Sequence, residues 1–466
     1  MNSAVQTNRV SPSSVSPSQA PDRRGEIVAA IFRALDEAGV RYCVPHGHEA
    51  LPAEVHSDVD LIVEQAALPN RLASLLETHA EAIGAQVIQW LDDRAHFIVL
   101  ADTRKSGSPS LLQLHVTPDF EQANRIFYSG AEMLDSRFTR NGISIPAAEI
   151  EFGCILCNRI AKGQLGDDRG RRLSALYAQA PLACEQQATR FFSASSALTI
   201  CLAAESGDWS VVRNALPQLH AQLLAKTADK VGMTRRRIGA WTRRIKRWIK
   251  PPCGLHVVFL VPDGVGKSTV IAGVQEDLSP AFLKTEYHTF APSLLPARMQ
   301  QKPSPHALPP RGKLASLYKA GWWLICYTLG YMLTIHPARA RSAFVLNHRY
   351  LLDAIVDRKR YRYSGPKFLL KLIALVSPGA DLVILLSAPP EVIQKRKQEV
   401  PFEETARQCR EYREVVEPLP NGRLIDASVA PEKTIAAVDA AIVQLLRQRI
   451  VKRFGSVSQR AKSQLG

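Results

Sequence analysis

Two stretches of this sequence hold side chains whose types and spacing suit chemistry. The first is VPDGVGKSTVI (261–271). Gly264 and Gly266 let a backbone approach a ligand closely, and the following helix would aim its free N–H groups at an anion. Lys267 would then reach terminal phosphates, and the Ser268 hydroxyl would hold Mg²⁺. Val261 stands where the pattern G-x-x-x-x-G-K-[ST] has its first glycine. That position only begins the turn, and a negative φ admits valine there. The second stretch is HGHEALPAEVHSDVDLIVE (46–64). Asp58 and Asp60 lie one residue apart on a strand and face the same way. Such a pair suits a Mg²⁺ site for nucleotidyl transfer by a two-metal mechanism. A third carboxylate should come from a later strand. The best candidate, LLQLHV (111–116), offers Gln113 and His115, with Asp119 just past it.

The elements that must position these groups are legible as patterns. Residues 252–450 repeat strand then helix, the mark of a parallel α/β sheet. The strands are expected at 255–261, 285–290, 342–347, 381–387 and 422–426, and KPPCG (250–254) supplies the break before them. The first strand runs directly into the glycine loop. Residues 26–120 alternate helical and strand patterns: IVAAIFRALDEAGV and LPNRLASLLETHAEAI are helical, while VDLIVE, HFIVL and LLQLHV are strand-like. Residues 147–232 are helix-rich. The expected organisation is a tail at 1–24, an α/β domain at 25–146, a helical region at 147–232, a linker helix at 233–251, a second α/β domain at 252–450 and a tail at 451–466. A chain of 466 residues has room for two or three such cores.

Charge and composition narrow the partners. The net charge is +16, and TRRRIGAWTRRIKRWIK (234–250) contributes eight Arg/Lys without an acid. Ile238, Trp241, Ile245, Trp248 and Ile249 fall between them at helical spacing, which makes a basic amphipathic helix. Three readings are open: an interdomain helix docked by its apolar stripe, a helix lying on an anionic membrane surface, and a nucleic-acid patch. No nucleic-acid-binding motif accompanies it, so no nucleic acid is expected as a partner. The run AGWWLICYTLGYMLTI (320–335) is uncharged but shorter than the ~20 residues of a membrane span. It reads first as a buried helix packed on the sheet, with membrane contact as the alternative. The first residues have no apolar signal core. The eight scattered cysteines, including the pair in CILC (154–157), read as buried thiols in a reducing compartment. A cytoplasmic protein, with a peripheral membrane role as the variant, is the expectation.

The segment PDGVGKST (262–269) resembles the P-loop of thymidylate kinase-like nucleoside-phosphate kinases, which carry Asp-Gly-x-Gly-Lys-Ser. Three later segments continue the resemblance in order: FVLNHRYLLDAIVDRKRY (344–361), DLVILLSAPPEVIQKRKQE (381–399) and RLIDAS (423–428). It implies a P-loop kinase fold using ATP and Mg²⁺. Asp263 would sit near the acceptor phosphate, Lys267 at the transferred phosphate, Arg349 on the acceptor phosphate and Arg396 in a lid. Gly264, Val265, Gly266, Lys267, Ser268 and Thr269 would cradle the ATP phosphates, and Asp426, Ala427 and Ser428 would face adenine. His348 replaces the family's metal-organising Asp, and the resemblance leaves Asp353 or Asp357 to substitute. Segment 285–297 lacks the Arg-Glu-Pro-Gly element of true thymidylate kinases, so the implied acceptor is a nucleoside monophosphate, dTMP-like, or a related small molecule.

The front stretch resembles the nucleotidyltransferase superfamily: a turn at Gly47, then Asp58-Val59-Asp60-Leu61, then a helical domain. Gly47-His48 replaces the usual Gly-Ser. The resemblance implies metal at Asp58 and Asp60. An active transferase, the same fold with weak or lost activity, and an unrelated α/β domain with solvated acids all remain open. The leading expectation is therefore an ATP-dependent kinase. Its rivals are nucleotidyl transfer by the front domain and a nucleotide-binding scaffold at the membrane.

Overall fold

The computed structural model describes residues 23–93, 95–103, 107–122, 125–227, 230–249, 252–262, 265–292, 311–396 and 401–465. The expected tail lies outside them up to residue 22. Helix α1 (Arg23–Glu37) follows directly. The front sheet is built from β1 (Tyr42–Cys43), β2 (Val59–Val63), β3 (Ala85–Asp92), β4 (His96–Asp102) and β5 (Leu111–Thr117), in the order β1-β2-β5-β4-β3. Only the β2–β5 pair is parallel. Alternation along each strand divides the sheet into two faces. Val59, Leu61, Leu114, Val116, Ile98 and Leu100 pack with α1 and with α2 (Asn70–Thr78). Asp60 and His115 take the opposite face. On that same face Val99, Ala101 and Ile88 pack against the second half of the chain.

A helical region follows, opening with α3 (Ala148–Ala161) and α4 (Asp167–Gln179). Its core includes Phe152, Leu173, Phe191, Ile200 and Trp209. The buried Cys154 and Cys157 belong to it, and all eight cysteines are free thiols. The basic helix α5 (Lys230–Ile249) comes next. Its docking differs from the first expectation. The apolar stripe faces solvent, with Trp241 65% and Ile249 80% exposed. The polar side holds the helix instead, through Arg243 and Arg247 to Asp93 at 3.8 and 3.3 Å.

The second half contains β6 (Leu255–Leu260), α6 (Lys267–Leu278), β7 (Lys284–Thr289), α7 (Lys313–Gly330), β8 (Ala343–His348), α8 (Leu351–Val356), α9 (Lys367–Val376), β9 (Leu382–Ser387), α10 (Pro390–Arg396), α11 (Phe402–Val416), β10 (Gly422–Asp426) and α12 (Pro431–Leu465). All five strands are parallel, in the order β7-β8-β6-β9-β10. The strands fall within one residue of their sequence-derived bounds. Helices cover both faces, which is why LHVVFL in β6 is buried at every position. Val257, Phe259, Leu346 and Ile384 pack towards α6 and α12. Val258, Leu260, Val383 and Leu385 pack on the opposite face with residues of α7, α8, α9 and α11.

Two expectations are corrected here. The C-terminal tail expected at 451–466 is helical to Leu465 as the end of α12. Ile450 and Phe454 join the front-sheet core, Phe454 against the Trp90 ring at 5.0 Å, so burial rather than local composition holds the start of this stretch. The run 320–335 is buried on one side only. Trp323, Tyr327 and Ile335 are buried, whereas Trp322, Ile325, Leu329, Met332 and Leu333 are exposed. Among the described residues, no helix is long and apolar enough to cross a membrane.

Candidate phosphate-binding loop and acidic cleft

Strand β6 delivers the chain into the glycine loop at the carboxyl edge of the sheet. Val261 is 6% exposed and Val265 is 3% exposed; both join the core beside α6. Asp263 and Gly264 lie outside the described residues. Gly266 has φ +93°, a left-handed backbone that favours glycine, and it caps α6. Lys267 is the first helical residue, half-buried, and Ser268 and Thr269 are exposed on the first turn. The N-terminal N–H groups of a twelve-residue helix therefore open towards this loop.

The arginines arrive from two other segments, one after a strand and one at a helix end. Arg349 follows β8 with φ +70°, and its backbone N–H donates to the Phe259 carbonyl at 3.2 Å. It lines a small cleft with Val261, Asp353, Asp357 and Tyr412. Arg396, near the end of α10, donates to the carbonyls of Val265 (3.3 Å), Ala427 (2.7 Å) and Ser428 (3.2 Å). It thereby ties the glycine loop to the loop after β10. Asp426 turns that loop by accepting from the Ser428 N–H at 2.8 Å. Arg396 thus draws together Val265, 131 residues before it, and Ala427, 31 residues after it.

The acids and His348 are placed differently. Asp353 is 3% exposed. One of its oxygens accepts from the Tyr350 N–H and the other from the Tyr412 hydroxyl at 2.8 Å. Burial pushes its carboxyl up to about 6, against the pull of those hydrogen bonds and of Arg349 and Lys267. Asp353 is therefore engaged in closing the start of α8, and Ser268 is the exposed oxygen donor on the loop side. The His348 ring lies nearly parallel to Tyr287, 6.4 Å away. Arg407 on α11 is paired with Glu404 and Glu411.

The front domain encloses a cleft of about 670 Å³, lined by Asp58, Asp60, His46 and His115 on the strand side. Arg159, Lys162 and Arg169 line the helical side. Gly47 turns the chain at its mouth with φ +74°. The Asp60 Oδ1 is 2.9 Å from His115 Nδ1, and its Oδ2 is 3.8 Å from His46 Nε2. Burial would raise the Asp60 carboxyl, but the His115 hydrogen bond and the neighbouring cations hold it below its usual range. The same hydrogen bond raises His115, while burial lowers His46.

Of the candidates for a third group, His115 alone faces this cleft. Gln113 donates to the Pro280 carbonyl of the second half, and Asp119 accepts from the Gly130 N–H at 2.8 Å. His48 is buried against Glu151 at 3.0 Å, and Arg172 clamps that carboxylate from its other side. His48 is therefore a packing residue outside the cleft. Among the described residues, no group of three or more His, Cys, Asp or Glu side chains is arranged to hold a metal ion. The Asp58–Asp60 pair fits a metal only as a partial donor set, with one Asp60 oxygen already shared with His115.

Sequence reasoning missed His46, Arg159, Lys162 and Arg169. A cation near a helix end reads locally as a solvated charge; only the packing of α3 and α4 over the sheet turns these towards Asp58 and Asp60. No protein-family model matches this chain, and no curated protein matches it either.

Proposed function

We propose that the second half is an ATP-dependent phosphotransferase of the P-loop kinase type, acting on a nucleoside monophosphate, dTMP-like, or a related small molecule. The observation that carries this reading is Gly266 in the left-handed region at the head of α6, with Lys267 and Ser268 on its first turn behind a central parallel strand. Phosphoryl transfer demands positioning and charge stabilisation rather than a protein nucleophile. The first turn of α6 binds phosphate oxygens, and Lys267 neutralises charge on the terminal phosphates. Arg349 enters from the neighbouring strand end, on the side where an acceptor phosphate would lie. Arg396 joins the loop to residues 427–428, the edge that would meet adenine. Ser268 is the exposed hydroxyl for Mg²⁺, which when bound with ATP supplies charge neutralisation between the outer phosphates.

The test is calorimetry with Mg·ATP on the full chain. Micromolar binding is expected, with at least a hundredfold loss in Lys267→Ala at unchanged thermal stability. Equal affinity in the two proteins removes the reading. An acceptor screen with γ-labelled ATP then identifies the substrate.

A second reading applies to the front domain. Asp58 and Asp60 share the cleft with Arg159, Lys162 and Arg169, so acids and phosphate-binding cations face one another. This favours metal-dependent nucleotide binding there. Mn²⁺ titration of the full chain should lose one site in the Asp58→Asn/Asp60→Asn protein; identical isotherms discard it.

A further inference from the structure

We propose that α5, α7 and α9 together form a face that docks on an anionic lipid surface. Each helix presents an apolar stripe to the exterior at helical spacing. On α5 it is Ile238, Trp241, Ile245, Trp248 and Ile249; on α9 it is Phe368, Leu372 and Leu375. On α7 and the turn after it the stripe includes Tyr318, Trp322, Ile325, Leu329 and Leu333. The opposite side of α7 is already buried through Ala320, Trp323 and Tyr327. A helix resting on a water-soluble core carries charge on its outer side, yet no ionised Asp, Glu, Lys or Arg occurs between Lys319 and Arg339. Scattered exposed leucines need no explanation, but contiguous large apolar patches mark interaction sites.

The three stripes lie on touching elements. α7 packs against α9. The far end of α5 rests on the segment after α7, where the Trp248 ring meets His336 at 5.1 Å and the Trp248 carbonyl lies 3.0 Å from His336 Nε2. His336 follows Met332 and Leu333 within one helical turn.

Charge decides the occupant. At 100° per residue, Arg243 and Arg247, which hold Asp93, project roughly 170° from the centre of the α5 stripe. The docked side at Arg243 and Arg247 is thus opposite the stripe, and Trp248, at the end of the stripe, also meets His336 while staying 47% exposed. Arg235 and Lys246 flank the stripe on one side, and Arg237 and Arg244 flank it on the other; all four are exposed. Lys371 adds an exposed cation beside the α9 stripe. A two-fold contact between copies through α5 would set these cations against their own kind. Phosphate headgroups beneath Trp and Ile side chains satisfy both components at once. The helices do not meet the length and hydropathy of a span, so the face lies on the surface rather than crossing it.

The experiment is co-sedimentation of the full chain with phosphatidylcholine vesicles and with vesicles containing three parts in ten phosphatidylglycerol. Two variants alter exposed stripe positions, Trp241→Glu/Trp248→Glu and Trp322→Glu/Leu329→Glu; a third, Arg237→Gln/Arg244→Gln, removes flanking charge. Melting curves check that each variant is folded. The expected result is at least tenfold tighter partition to acidic vesicles, quenching of tryptophan by brominated acyl chains, and a tenfold or greater loss in each Glu variant. The Gln variant should lose most of the preference for acidic lipid. A wild-type chain that sediments with neither vesicle overturns the proposal, as does binding indifferent to the Glu changes. A dimer that the same Glu changes dissociate, and that persists with vesicles present, also overturns it and makes the face an interface between copies.

Discussion

At the scale of single residues, the two candidate sites use charge in opposite ways. The glycine loop presents a cation and the N–H groups of a helix start, whereas the front cleft sets an acid pair against a cationic wall. The His115–Asp60 pair gives that cleft a pH signature. Asp60 is depressed from 3.8 and His115 is raised from 6.5, each mainly by the other once burial is counted. The ion pair is therefore complete between about pH 3.8 and 6.5. Its contribution is lost on the acid side as pH falls through the lowered Asp60 value. On the alkaline side it is lost as pH rises through the raised His115 value. With side chains 43% and 33% exposed, solvent screens the pair and its stability share is below about 1 kcal/mol. The informative readout is then a titration. The His115 imidazole signal should titrate above 6.5 in the native chain and move down in Asp60→Asn; no movement would show that the carboxylate does not set it.

At the scale of elements, the helix that carries the glycine loop leans on the last helix of the chain. Asp439 of α12 is 1% exposed, and burial together with the charge of Asp277 on α6 pushes its carboxyl up to about 8. An acid raised on folding binds its proton more tightly in the native state, so native stability declines as pH climbs from about 3.8 to about 8. Asp439→Asn should abolish that slope. Thermal denaturation is expected to show equal melting temperatures at pH 4 and a variant more stable by several degrees at pH 8.5. The opposite order at pH 8.5 would mean that the ionised carboxylate is a favourable partner in the native structure. This contact also joins α6 to the element that reaches the front domain, since α12 runs on from Asp439 to Arg447, which pairs with Glu77 of α2.

At the scale of the molecule, the front sheet and the parallel sheet are not separate beads. Ile88, Val99 and Ala101 of the front sheet share a core with Val257 and Phe259, while Ile450 and Phe454 of α12 return to the front-sheet core. Phe454→Ala should therefore cost about 3–5 kcal/mol. The loss should appear in a single calorimetric transition that includes both sheets. Two resolved transitions, with only one moved, would show that the halves unfold independently. The five parallel strands were legible in the sequence because β6, β8 and β9 are short apolar runs buried on both faces, whereas the edge strands β7 and β10 hold no buried residue and follow from the repeat of strand then helix. The glycine loop, the acid pair and the stripe of α5 were legible for the same reason: period and spacing are local properties. Strand β3 was missed because AQVIQWLD mixes polar and apolar residues, and its Gln89 is buried only by donating to the Cys253 carbonyl from the other half. The fates of His48, Asp353, Asp119 and Phe454 were likewise decided by tertiary structure. A charged or polar side chain takes its role from the partner across the core, and a helix end from the surface it finds to cover. Neither partner is near in sequence, so no local pattern records it.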